Sequence, residues 1–296
     1  MTSTSNPGAP GRARSPRHDP HQRFGSPLRN LVDVWLVNAG LAAAGPKAPL
    51  SSVAHLRESA PTELGSGANI SYLRAGNPFG PCIVMVHGSP GCATSWADYL
   101  LAPPPGAEVV AVDRPGFGHS LPHHAVPSLA DQARALHALL PPDDRPLVLL
   151  GHSLGGAVVT WLAAVQPRRV KAIVLLASSL DPGLEAIHPM QRLADSWPLR
   201  GLLPRAIRNS NTELLRLRDE LTLLRPMLSG VLAKVVIAHG TRDDLVPVAN
   251  TAFMQRQFTG ARAVHTELLD GHNHFLPWNS SSQVRTALRL ALEPAC

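Results

Sequence analysis

From residue 68 onward the chain alternates short apolar runs with longer stretches of helical spacing. Residues 81–87 (PCIVMVH), 108–113 (EVVAVD), 147–150 (LVLL), 170–177 (VKAIVLLA) and 234–239 (KVVIAH) are apolar at consecutive positions. That is the pattern of strands buried on both faces of a parallel sheet. Residues 68–75 (ANISYLRA) alternate apolar and polar positions, as a half-exposed strand near a sheet edge does, and residues 263–269 form a last strand. Helical spacing fills the gaps: around Trp96, Tyr99 and Leu100, over 129–140, from Leu154 through Trp161 to a stop at Pro167, over 247–258 and over 283–292. Strands alternating with helices predict a mostly parallel, doubly wound α/β sheet.

The alternation stops at Ser178. From there to about residue 231 the composition turns to Leu, Arg and Pro with helical spacing, and Leu214, Leu217, Leu221 and Leu224 share one face until Pro226. Ser210 followed by Glu213 has the form of a capping box, which would start a helix there. The stretch 182–231 is expected to be a helical lid inserted into a core made of residues 61–181 and 232–296.

Composition adds limits. A chain of 296 residues with 44% hydrophobic residues can bury one large core, or one core and a small accessory domain. The formal charge of +6 would suggest a nucleic-acid partner, but it is unevenly placed. Residues 1–30 hold Arg12, Arg14, Arg17, Arg23 and Arg29 against Asp19, a net of +4 that leaves +2 for the remainder. Because this tail is also rich in Pro, Ser and Gly, it is expected to be a disordered extension, and no nucleic acid is expected to bind. Cys82, Cys92 and Cys296 make neither a disulfide framework nor a C-x-x-C pair, so no structural metal is indicated and a reducing compartment, the cytoplasm, fits best. Residues 31–44 (LVDVWLVNAGLAAA) are interrupted by Asp33 and Asn38 and fall short of the ~20 apolar residues of a spanning helix. They suit an amphipathic helix with Leu31, Trp35 and Ala42 on one face, packed on the body or resting weakly on a membrane surface, with a connector to residue 60. A secretory signal ending near Ala42 and Ala44 is the alternative, weakened by its poor apolar region.

Chemistry concentrates where residues 147–150 turn into a helix. Gly151-His152-Ser153-Leu154-Gly155 fits G-x-S-x-G, in which a serine on a strained turn projects its Oγ clear of the sheet. The glycines keep Cβ atoms out of a crowded turn, and the plain alternative is a glycine-rich turn with an inert serine. A serine nucleophile needs a base, and that base needs a carboxylate to hold its tautomer. Two later loops at strand ends carry candidates: 240–247 (GTRDDLVP) and 270–275 (DGHNHF). Their order, Ser then Asp then His, is the one expected of such a sheet.

Five blocks taken in order, HGSPG at 87–91, DRPGFGHS at 113–120, GHSLGG at 151–156, HGTRDDLVP at 239–247 and GHNHF at 271–275, resemble the α/β-hydrolase family from about residue 68 to the C-terminus. The resemblance implies an ester- or amide-type hydrolase working through an acyl-enzyme, with a lid and with no metal or organic cofactor. It places Ser153 as nucleophile, unlike the aspartate of the family's epoxide hydrolases and haloalkane dehalogenases. Asp243 takes the acid place, since Gly240, Asp243, Val246 and Pro247 fit G-x-x-D-x-x-V-P; Asp244 is one residue off, and Asp181 stands where some relatives carry the acid. His274 takes the base place when residues 269–275 are set against L-P-G-x-G-H-F, with His272, beside Gly271, as the other candidate. The oxyanion hole is expected from the backbone N–H groups of Ser89 and Leu154. Residues 113–118 are expected to be a structural turn, and His87, His119, His152 and His239 to have turn or pocket roles. Trp96, Trp278 and Phe117 would line an acyl pocket or simply pack. The expected substrate is a small to medium apolar carboxylic ester. C–C bond hydrolysis, lactone opening, acyl transfer and a non-catalytic receptor of the same fold are the alternatives.

Overall fold

The computed structural model describes residues 45–187 and 189–293. The readings of the basic tail and of residues 31–44 lie outside these residues. Eight strands form one sheet: β1 (Arg57–Pro61), β2 (Asn69–Gly76), β3 (Cys82–Val86), β4 (Glu108–Val112), β5 (Leu147–His152), β6 (Val170–Leu176), β7 (Lys234–Gly240) and β8 (Val264–Leu269). Their order is β1-β2-β4-β3-β5-β6-β7-β8. The two pairings at one end, β1 with β2 and β2 with β4, are antiparallel, and all others are parallel. The helices are α1 (Ala97–Leu101), α2 (Leu129–His137), α3 (Leu154–Val165), α4 (Pro189–Ala194), α5 (Trp197–Arg200), α6 (Arg205–Leu224), α7 (Ala249–Gln257), α8 (Leu276–Asn279) and α9 (Ser281–Leu292).

The consecutive apolar residues of the central strands serve two cores. Cys82, Val84 and Val86 of β3, with Leu147 and Leu149 of β5, face one core that α2, α3, α6 and α7 close. The alternate residues Ile83 and Met85, with Val148 and Leu150, face the other, closed by Trp96, α1 and α9. A side-chain period of 2 therefore puts the successive apolar positions of these strands into one hydrophobic layer or the other.

Two elements differ from expectation, the first of them at the antiparallel end. β1 lies in the stretch read as a connector; its sequence, RESAP, carries no apolar pattern because it is an edge strand with little burial. By pairing with β2 it moves that strand one place inward, and Ile70 to Leu73 are buried. Within the insertion between β6 and β7, α6 starts at Arg205 rather than at a capping box on Ser210. Ser210 and Glu213 lie inside the helix and are buried, because the Glu213 carboxylate pairs with a distant arginine instead of capping. Among the described residues, no helix is long and apolar enough to cross a membrane.

Strand order reverses at β3, whose neighbours β4 and β5 are each reached by a crossover. In open sheets of this kind a crevice opens beyond the C-terminal strand ends at such a point. The loops after β3 and β5 meet there, and those after β7 and β8 reach it from the side.

Candidate active site

The turn between β5 and α3 is tight enough to exclude side chains. A Cβ on Gly151 would lie 2.4 Å from the Gly155 carbonyl oxygen, and one on Gly155 would lie 2.5 Å from that of Val86. Between them Ser153 is held at φ 55° and ψ −127°, a backbone state rare for a residue with a side chain and a mark of stored strain. Its N–H donates to Leu176 O at 2.9 Å, fixing the turn to β6. Leu154 is the first residue of α3, and its N–H has no acceptor within the helix. α3 then runs to Val165 and stops ahead of Pro167.

Asp243, in the loop after β7, has a fully buried side chain. Its Oδ1 accepts N–H groups of Leu245 at 2.9 Å and Val246 at 2.8 Å. Its Oδ2 accepts Nδ1 of His274 at 2.8 Å and lies 3.3 Å from Nε2 of His239. Burial alone would raise this carboxyl's pKa, but the nearby His274 and the hydrogen bonds from His239 and His274 outweigh it and hold it well below the usual carboxylate range. With Nδ1–H donated to Asp243, the His274 Nε2 is left as an acceptor.

His152 brings this pair to the elbow. Its ring centroid is 4.8 Å from that of His274. Burial, then the neighbouring His274, lower its pKa to about 3, so it is neutral near pH 7. Its Nε2–H donates to the His274 carbonyl at 3.0 Å. Trp278 meets the His152 ring edge-on at 5.9 Å and stacks on Phe275.

The loop after β3 closes the other side. A Cβ on Gly88 would lie 2.9 Å from the Ser153 Cβ, so Ser89 is adjacent to the elbow. His87 is buried, and its Nε2 accepts the Arg114 N–H at 3.0 Å. Burial, then the Arg114 charge, keep it neutral with a pKa well below the ordinary value.

The remaining candidates lie elsewhere or turn away. His272 bonds through Nδ1 to Ser280 Oγ, and its carbonyl accepts the Arg242 N–H at 2.9 Å. Asp181 caps the short turn Pro182–Leu184, accepting the Gly183 N–H at 2.9 Å. Asp244 is exposed, and so is His119. Trp96 and Phe117 are both buried; Trp96 packs edge-on to Tyr99, while Phe117 packs against His87 and Arg114. Of the three proposed pocket aromatics, Trp278 alone is partly exposed beside His152. Sequence reasoning had no specific role for His152 or His239; adjacency to the elbow and to the β7 loop was the available signal. Among the described residues, no group of three or more His, Cys, Asp or Glu side chains is arranged to hold a metal ion.

Comparison with known proteins agrees with this architecture. Residues 81–225 match the family model of the alpha/beta hydrolase fold. A pimeloyl-[acyl-carrier protein] methyl ester esterase of Vibrio campbellii is 32% identical over 136 residues, 46% of this chain and only 48% of that protein. An esterase of the same name from Aeromonas hydrophila is 27% identical over 64% of this chain and 87% of its own length. A non-heme chloroperoxidase of Streptomyces lividans is 30% identical over 63% of this chain and 83% of its own length. A hydrolase structure from Pseudomonas aeruginosa superposes with a TM-score of 0.63 at 18% identity, covering 81% of this chain and all of that one. With the sheet order, the strained serine turn and these similarities in hand, the chain belongs to the α/β-hydrolase fold family and is a hydrolase.

Proposed function

We propose that the protein cleaves carboxylic esters through an acyl-enzyme on Ser153. The observation that carries this reading is the line from elbow to acid. Ser153 sits on a strained turn, His152 beside it touches His274, and His274 donates to buried Asp243 at 2.8 Å. In the first half-reaction Ser153 Oγ attacks the ester carbonyl while His274 Nε2 takes its proton. Asp243 stabilises the resulting imidazolium. The tetrahedral oxyanion receives the N–H groups of Ser89 and Leu154, donors fixed before the charge develops. Collapse breaks the bond to the alkoxy oxygen, which leaves with the proton from His274. Water then attacks the acyl-enzyme by the same route, releasing the acid and restoring Ser153.

An ester is favoured as substrate because relatives over most of their length include a methyl ester esterase. The insertion 182–231 acts as the lid, and its leucines favour an apolar acyl or alcohol part of small to medium size. The test is labelling with a fluorophosphonate, followed by rates on p-nitrophenyl esters of rising chain length. Labelling lost in Ser153→Ala, with rates rising beyond acetate, is the expected outcome. Folded wild-type protein that takes no label would instead support a non-catalytic receptor, and preference for a short charged ester would overturn the apolar assignment.

A further inference from the structure

One buried ion pair outside the proposed triad ties the helical insertion to the loop after β3. Arg114, in the turn that follows β4, and Glu213, in the middle of α6, are both buried from solvent. Their fork is two-pronged: Arg114 Nη1 donates to Glu213 Oε1 at 2.8 Å and Nη2 donates to Oε2 at 3.0 Å. Gln132 of α2 adds its Nε2 to Oε1 at 2.9 Å and accepts Arg114 Nη1 on its own oxygen. Removing two charges from water costs several kcal/mol per ion, so such a pair is weak grounds for stability. What it supplies here is direction, since apart from the bonds to Gln132 the groups not spent on each other reach one loop.

Arg114 Nε donates to the His87 carbonyl at 3.0 Å, and Nη2 donates to the Gly88 carbonyl at 2.9 Å. Glu213 Oε2 accepts the Ser89 hydroxyl at 2.5 Å. Three consecutive residues are thus gripped by one guanidinium and one carboxylate. The Gly88–Ser89 peptide is trans, so its C=O and N–H point in opposite directions. With the Gly88 oxygen held by Arg114 and also by His87 Nδ1 at 2.6 Å, the Ser89 N–H is turned away from both. A Cβ added to the same residue, Gly88, would lie 2.9 Å from the Ser153 Cβ, so its Cα side faces the elbow.

We propose that Arg114 and Glu213 are positioning residues that set the direction of the Ser89 N–H, which makes α6 a working part of the oxyanion site as well as part of its cover. The proposal rests on Ser153 being the nucleophile. It also reassigns residues 113–118 from a purely structural turn to a support of the reaction.

Ser89→Ala is the cleanest test, because it removes one prong of the grip and leaves the ion pair whole. With p-nitrophenyl butyrate, kcat is expected to fall about tenfold, less than the 10²–10³ that follows outright loss of an oxyanion donor. KM should stay within about twofold. Affinity for an alkyl boronic acid, whose serine adduct is tetrahedral, should fall by the same factor as kcat, while the pH profile stays in place because Asp243 and His274 are untouched. Ser89→Thr keeps a hydroxyl and should recover most of the rate. The double variant Arg114→Met/Glu213→Leu removes the pair without stranding one buried charge, and is expected to melt near the wild type yet lose kcat. Wild-type kcat and boronate affinity in Ser89→Ala overturn the proposal, whatever the double variant does. If wild-type protein is labelled by a fluorophosphonate at Ser153 but Ser89→Ala behaves normally, only this proposal falls. If Ser153 takes no label at all, the nucleophile reading falls and this proposal falls with it.

Discussion

Replacing Asp243 with asparagine probes the proposed chemistry with almost no change in volume. The carboxylate accepts on both oxygens: backbone N–H groups of Leu245 and Val246 on Oδ1 and His274 on Oδ2, with His239 Nε2 3.3 Å from Oδ2 and bonded to the Val246 carbonyl. An amide has one acceptor oxygen and one NH2. Its oxygen must stay with the two backbone donors, which cannot move without unfolding the loop, so the NH2 faces His274. The imidazole can then satisfy it only by accepting through Nδ1, which puts its proton on Nε2. That tautomer cannot take the proton of Ser153. The expected loss in kcat is ~10³–10⁴-fold, equivalent to about 4–5.5 kcal/mol of barrier, the scale seen when a triad acid becomes an amide. Steady-state hydrolysis of p-nitrophenyl butyrate at pH 8 measures it, with far-UV circular dichroism to verify the fold. A variant keeping more than about a tenth of wild-type kcat would refute the assignment of Asp243 and the tautomer argument together. The same substitution checks the low pKa of Asp243. A depressed carboxyl contributes stability that is present above the ordinary carboxylate pKa, ~3.9, and is lost as pH falls further. Melting temperatures of wild type and Asp243→Asn should therefore converge on moving from pH 5 to pH 2.

Three further outcomes follow from the contacts. His274→Ala should lower kcat by about 10³-fold or more, whereas His272→Ala, which gives up only the bond to Ser280, should stay within about fivefold; comparing the two rates decides which histidine is the base. Gly155→Ala would drive a Cβ to 2.5 Å from the Val86 oxygen and 2.6 Å from that of His87, costing about 3 kcal/mol or more, so thermal unfolding should show a drop of several degrees together with lost activity. His87 and His152 are buried and neutral, with pKa values below those of an unfolded chain. The unfolded state takes up protons first as pH falls below ~6.5, so stability should decline from there toward pH 3, and melts of His152→Gln should show a shallower decline.

Much of the core could be read along the chain because its causes are local. A strand buried on both faces needs consecutive apolar residues, and β3 to β7 each appear as such a run within a residue or two of their observed ends. The elbow was legible for the same reason: Gly151 and Gly155 are required by contacts within one strand-turn-helix unit. β1 was not, since an edge strand of sequence RESAP owes its place to pairing with β2, not to burial of its side chains. Glu213 misled for a related reason. Ser and Glu three residues apart are the same whether the pair caps a helix or lies inside one, and the difference is made by Arg114, 99 positions away. His152 likewise acquires its role from a distant partner, the His274 carbonyl, whereas His239 meets Asp243 and Val246 within its own β7 loop.

These buried polar groups also say how the site can stabilise developing charge. His87 and His152 are held neutral by burial, and Arg114 is matched by Glu213, so neither offers a net charge near Ser153. Among these groups Asp243 lacks a permanent counter-charge and is compensated when His274 takes a proton. In the proposed mechanism an oxyanion is stabilised by oriented N–H dipoles, which are short-ranged and shielded from solvent, rather than by a cationic patch. Screening by salt acts on exposed charges over a Debye length of about 10 Å at 0.1 M and far less on buried groups. The kcat for a neutral ester is therefore expected to change less than about twofold between roughly 0.05 and 0.5 M sodium chloride, even though the whole chain carries a formal charge of +6. A steep fall of kcat with salt at constant pH would show that net positive charge, not the dipoles of Ser89 and Leu154, does the stabilising.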